Sequence, residues 1–144
     1  MKKIMQINNQ KDLFKVIDFI HDYNFDSETI YLDSSNSLNI KFERPLYEKA
    51  VLIWKFLCIK KIEVPIGEYV LKIHNINKYI LKDTERVKFY DFNELIYQEN
   101  EKCIRVISGI PIEIIIYVSN FEISIEDTEK IVCEKTKIDM GWCC

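Results

Sequence analysis

The sequence predicts a mainly β protein, a β-sandwich or flattened barrel made of two pseudo-repeated halves and fronted by one N-terminal α-helix. Three observations carry this. Long stretches alternate apolar and polar residues, the composition holds 25 Ile against a single Ala and three Gly, and the same order of parts occurs twice. A chain of 144 residues is large enough to bury a core without staples, so a single domain, 1–144, is expected. Its halves span about 21–86 and 90–130, followed by a tail at 130–144.

The helix comes first. From Asn9 to His21, the apolar residues Leu13, Val16, Ile17 and Ile20 fall at helical spacing, with Lys11, Lys15 and Asp18 on the other side. Asn9 suits the N-cap and Asp12 the first turn, where a carboxylate meets free N–H groups. His21 falls in the last turn, at the negative end of the helix.

The period then changes from 3.6 to 2. Leu38, Ile40 and Phe42 alternate with Asn39, Lys41 and Glu43, after the turn chemistry of Ser34 to Ser37. In the second half, Leu95 to Gln98 and Ile104 to Ile107 flank Glu99 to Lys102. Laid ungapped, residues 29–45 on 95–111, the pairs Ile30/Ile96, Tyr31/Tyr97 and Pro45/Pro111 are identical. His21-Asp22-Tyr23-Asn24 precedes the first hairpin as Tyr90-Asp91-Phe92-Asn93 precedes the second, and each half closes on an Asp-Thr-Glu, at Asp83 and at Asp127.

Downstream, Tyr69, Leu71 and Ile73 form one inward row, Ile112, Ile114, Ile116 and Val118 another, and Phe121, Ile123 and Ile125 a third. Leu38, Ile40, Phe42, Ile123 and Ile125 are expected inside, and Asn39, Lys41, Glu122 and Ser124 outside. The first half has an extra segment, Tyr47 to Val64, whose stretch Ala50 to Ile59 is apolar apart from Lys55. Such a run reads as a strand with both faces covered, central in the sheet or where it closes on itself. After Glu129 the alternation fades, and Lys130 to Lys137 reads as a short helix or edge strand. About eight or nine strands are expected in all.

Composition excludes several functions. A net charge of −3 with 17 Lys against three Arg is poor for reading nucleic acid. The apolar runs Ala50 to Trp54 and Ile114 to Val118 fall far short of the roughly 18 residues a membrane span needs, and residues 1–8 hold no export core. Five cysteines without such a core read as reduced thiols of a cytoplasmic protein.

His21, Asp22 and Asp26 are the catalytic candidates, because an imidazole beside carboxylates suits acid–base work near neutrality. Neighbours on a helix do not face each other, however, and a His at a helix C-terminus already has a structural role in anchoring the helix. Asp22-x-Asn24-x-Asp26 has the opening spacing of a calcium loop but neither its Gly nor its distant Glu. The repeated Asp-Thr-Glu suits turn closure, and Cys133, Cys143 and Cys144 lack the spacing of zinc ligands. Gly67, Gly109 and Gly141 are isolated, so no loop cradles a phosphate. No cofactor and no metal site are expected. The expected function is a non-enzymatic cytoplasmic binding module, a partner-neutralising protein of the immunity type, with a protein as partner and neither nucleic acid nor membrane. The alternatives are a small hydrolase or isomerase using His21 with Asp22 or Asp26, and a carrier of apolar ligands.

Overall fold

The structure, a computed structural model, describes residues 1–140. Its described residues form twelve strands in two sheets, with one α-helix and no closed barrel. In chain order these are β1 (Lys2–Ile7), α1 (Leu13–Ile20), β2 (Asn24–Asp26), β3 (Tyr31–Leu32), β4 (Leu38–Pro45), β5 (Val51–Phe56) and β6 (Ile59–Ile73). They continue with β7 (Ile76–Lys82), β8 (Phe89–Asp91), β9 (Glu94–Gln98), β10 (Cys103–Ile107), β11 (Glu113–Val118) and β12 (Ile123–Met140). The first sheet runs β1-β12-β6-β4-β2-β8, with β3 on β4 and β5 on β6, and the second runs β7-β11-β10-β9. The number exceeds the eight or nine expected, because short pieces such as β2 and β8 leave no periodic trace in three residues.

The halves exchange strands. The first half lays β3, β4 and β6 into one sheet and then crosses to the other as β7, whereas the second lays β9, β10 and β11 there and crosses back as β12. Across the first sheet Leu38 faces Ile73 and Ile73 faces Ile123; in the second, Ile104 faces Ile116 and Ile116 faces Tyr79. The same correspondence carries the Glu126–Val70 pair onto Lys82–Glu113, and so places Asp127 where Asp83 stands. Between the halves β2 and β8 run antiparallel, Phe25 facing Tyr90. The duplication read from sequence is thus a duplication of topology and, among the longer strands, of register.

The first hairpins of the two halves differ by one residue. Tyr31 faces Asn39, whereas Tyr97 faces Ile104 rather than Arg105. A slip of one exchanges faces: Tyr31 is 45% exposed, while Tyr97 packs on the Phe121 ring at 4.7 Å.

The core lies between the sheets. Leu38, Ile40, Phe42, Leu71, Ile73, Ile123 and Ile125 face Leu95, Ile104, Val106, Ile114, Ile116 and Val118, all buried as period 2 requires. Aromatic rings fill the end near β2 and β8, with Phe25 against Phe92 at 4.5 Å and Phe42 edge-on to Phe92 at 5.6 Å. The helix is shorter than expected: a 3-10 turn, Gln10–Asp12, precedes it, and the Asn9 carboxamide accepts from Lys11 N at 2.9 Å. Val16 and Ile20 bury its inner face, and Phe19 meets Phe42 and Tyr69 edge-on.

Two expectations are corrected, and two further segments prove to be strands. The stretch Ala50 to Ile59 is not a covered central strand: the chain turns back at Leu57 and Cys58, and β5 is exposed along its whole length. Of the two readings of Lys130 to Lys137, the edge strand is the one formed: residues 131–140 extend β12, after two irregularities, against the first part of β6. Residues 2–7 form a strand on β12 that the sequence reading passed over. Asn39 and Ser124 are buried rather than exposed, whereas Lys41 and Glu122 are half-buried. Trp142, Cys143 and Cys144 lie outside the described residues.

Candidate functional site

His21 and Asp22 do meet. Asp22 leaves the helix with φ 67°, which turns its carboxylate back to the His21 imidazole at 3.2 Å, a contact that helical spacing would forbid. The pair is solvent-exposed, at 48% and 73% of the two side chains. Asp26 does not join them. Its carboxylate caps the 3-10 turn Ser27–Thr29 by accepting from Glu28 N at 2.9 Å. The three candidates also face different spaces: Asp26 lines an open groove of about 380 Å³ with Lys41, Glu68 and Phe89, and Asp22 lines another of about 660 Å³ with Tyr23, Cys133 and Glu134. His21 lines neither, and instead covers a crevice with Phe92 and Asn93.

Both Asp-Thr-Glu sequences close turns. Asp127 accepts from Glu129 N at 2.8 Å, and Thr128 donates to Glu68 O at 3.0 Å. Asp83 accepts from Arg86 N and from the hydroxyls of Ser27 and Tyr90. The Tyr90 hydroxyl holds the Asp83 carboxyl below the usual carboxylate range. In the same way Ser108, donating at 2.6 Å, lowers Asp91.

The densest polar cluster was not legible as a motif. On the outer face of the first sheet, His74 Nδ1 lies 2.8 Å from Ser37 Oγ, and Nε2 lies 2.7 Å from Ser124 Oγ. A neutral imidazole satisfies both hydroxyls, donating from one nitrogen and accepting at the other. Glu122 stands 3.8 Å from Nδ1, and Lys72 bridges Asp33 at 3.9 Å and Glu126 at 3.5 Å. Asn39 donates to Asp33 at 2.9 Å and to Ser37 O at 3.0 Å. The Ser124, His74 and Glu122 order has the outline of a nucleophile relay. It is closed, however: Ser124 is fully buried, so no substrate carbonyl reaches its oxygen. Alternation on β6 and β12 puts these residues on one face, yet only the register brings Ser37, His74 and Ser124 into contact.

Burial lowers the His74 pKa below 6.5, with Lys3 and Lys72 acting in the same direction and Glu122 and Asp33 opposing. The folded state therefore refuses a proton that the unfolded chain accepts at 6.5. Stability is expected to be level above about pH 6.5 and to fall as pH drops below it, until the folded His74 itself titrates. The lowered carboxyls Asp33, Asp83 and Asp91 add a second loss only near and below pH 4. Urea melts between pH 8 and pH 5, run on the wild-type chain and on His74→Gln, check this; an unchanged slope in the variant would assign the upper stage elsewhere.

The cysteines do not assemble a centre. Cys103 is buried, its thiol pushed up by burial and donating to Gln98 at 3.2 Å, while Cys133 is an exposed free thiol. Cys58 is disulfide-bonded, which corrects the expectation that every thiol is reduced. Among the described residues no group of three His, Cys, Asp or Glu side chains is placed to hold a metal ion.

The largest departure from an ordinary surface is apolar. Beyond the sandwich, β5, the first half of β6 and the last part of β12 form a three-stranded ribbon. Val51, Phe56 and Leu57 are 60%, 68% and 73% exposed, and Leu52, Ile53, Trp54, Ile131 and Ile138 are exposed as well. Leu57 turns the hairpin at φ 53°, where Gly or Asn costs less. Lys55 sits directly opposite Lys60, and Glu63 raises the Glu134 carboxyl beside it. Soluble surfaces seldom expose so much contiguous apolar area without a use for it. Comparison with protein-family models, with curated proteins and with solved structures finds no match.

Proposed function

We propose that this chain is a non-enzymatic protein-binding module, of the partner-neutralising kind, and that the ribbon of β5, β6 and β12 is its docking element. The observation that carries the reading is the exposure of Val51 to Leu57, a nearly unbroken apolar run whose cover the described part of the chain does not supply. Large aromatic anchors such as Trp54 and Phe56 are the side chains that dominate protein interfaces. The catalytic alternative is less well supported, since His21, Asp22 and Asp26 line separate spaces and the buried Ser124 is closed to substrate. A carrier is also less well supported, because Phe25, Phe42, Tyr90 and Phe92 fill the region between the sheets where a ligand would sit. The proposed compartment is the cytoplasm; the free thiols of Cys103 and Cys133 fit it and the Cys58 disulfide does not. Among the described residues no helix is long and apolar enough to cross a membrane.

The test is Trp54→Glu combined with Phe56→Glu. Because both side chains are exposed, stability is expected to stay within about 0.5 kcal/mol of wild type. A partner captured by the wild-type chain and then purified should bind the double variant at least a hundredfold more weakly in direct titration. Undiminished affinity, or a variant that loses several kcal/mol of stability, overturns the reading.

A further inference from the structure

We infer that the ribbon's first occupant is a second copy of this chain, joined through antiparallel pairing of β5 with the β5 of its partner. The inference rests on the reading of the ribbon as a docking element and names what docks. Among the described residues β5 has a hydrogen-bonded neighbour, β6, on one side only, so the N–H and C=O groups of alternate residues from Val51 to Phe56 face outward.

Two other edges carry pairs of lysines and this one does not. β1 carries Lys2 and Lys3, and β7 carries Lys78 and Lys82, the charged residues that discourage strand addition. β5 reads Val-Leu-Ile-Trp-Lys-Phe, without Gly or Pro and with one charge. Every antiparallel register of β5 on itself sets Lys55 against an apolar residue, save the one centred on Lys55. Charge therefore does not forbid the pairing. A two-fold contact of this kind is isologous and closes at two copies, which explains how an apolar edge persists without open-ended growth.

The exposed area is of the same order as a standard interface. Val51, Leu52, Ile53, Trp54, Phe56 and Leu57 expose on the order of 600 Å² together, near the ~800 Å² per partner of a standard interface. Pairing supplies each of them with the cross-strand neighbour that an edge lacks.

The experiment uses the full chain with Cys133→Ser, so that the exposed thiol cannot cross-link copies, and reads mass by light scattering and sedimentation equilibrium over a hundredfold range of concentration. A dimer is expected. Leu52→Lys with Trp54→Lys should weaken association at least a hundredfold while circular dichroism and the melt stay as in the parent. Ile138→Lys, on the far strand of the same ribbon, should leave the dimer intact. A parent that is monomeric throughout overturns the inference, as does a dimer indifferent to the β5 lysines or one equally lost with Ile138→Lys. A monomer that sediments with phosphatidylserine vesicles overturns it too, in favour of a lipid surface. If the parent is monomeric yet Trp54→Glu with Phe56→Glu abolishes binding to another protein, only the second-copy assignment fails; if those changes unfold the monomer, the docking reading fails with it.

Discussion

Phe42→Ala is expected to cost about 3 to 5 kcal/mol, a large share of the stability of a domain this size. The ring is buried to 1% exposure and is in contact with three others, Tyr69 at 5.7 Å, Phe92 at 5.6 Å and Phe19 at 6.3 Å. These rings belong to β6, the loop after β8 and α1, so the cavity would open where helix, sheet and the join between halves converge. Aromatic neighbours held by their own strands collapse poorly into such a space, which places the loss toward the upper end of the range. A urea melt decides. A loss below about 1 kcal/mol would mean that the helix is not seated on this ring as described.

Two isoleucines of one strand are expected to behave oppositely. Ile123→Ala should cost about 2 to 5 kcal/mol, because Ile123 is fully buried with Ile73 on one side and Ile7 on the other, both buried too. Ile138→Ala, in the same β12 but 61% exposed on the ribbon, should change stability by less than about 0.5 kcal/mol. The comparison holds residue type and secondary structure constant and varies burial alone. Equal losses would show that the ribbon is covered by the body of the same chain, and would remove the basis for docking.

Much of the architecture was legible in residue patterns. Alternation at Leu38 to Phe42, Tyr69 to Ile73, Ile114 to Val118 and Phe121 to Ile125 identified the inward rows, since a strand admits only two faces and mixed polarity labels them. The repeated order of hairpin, long strand and Asp-Thr-Glu identified two halves, because each repeats one unit of chain folding. Helical spacing from Leu13 to Ile20 identified the one α-helix, although Asn9 caps the 3-10 turn that leads into it rather than the helix itself.

Tertiary structure decided the rest. Period 2 states that two faces differ but not what lies over the outer one, so Asn39 and Ser124 read as exposed although Asp33, His74 and their neighbours close over them. An unbroken apolar run states that both faces want cover but not who provides it. Ala50 to Ile59 therefore read as a central strand, whereas the fold places it on an open ribbon and leaves it exposed along its length. Cross-strand register, which joins Ser37 to His74 and sets β7 and β12 into each other's sheets, comes from contacts distant in sequence. Local propensity carries no record of such contacts, because their energy exists only once the two sheets have come together.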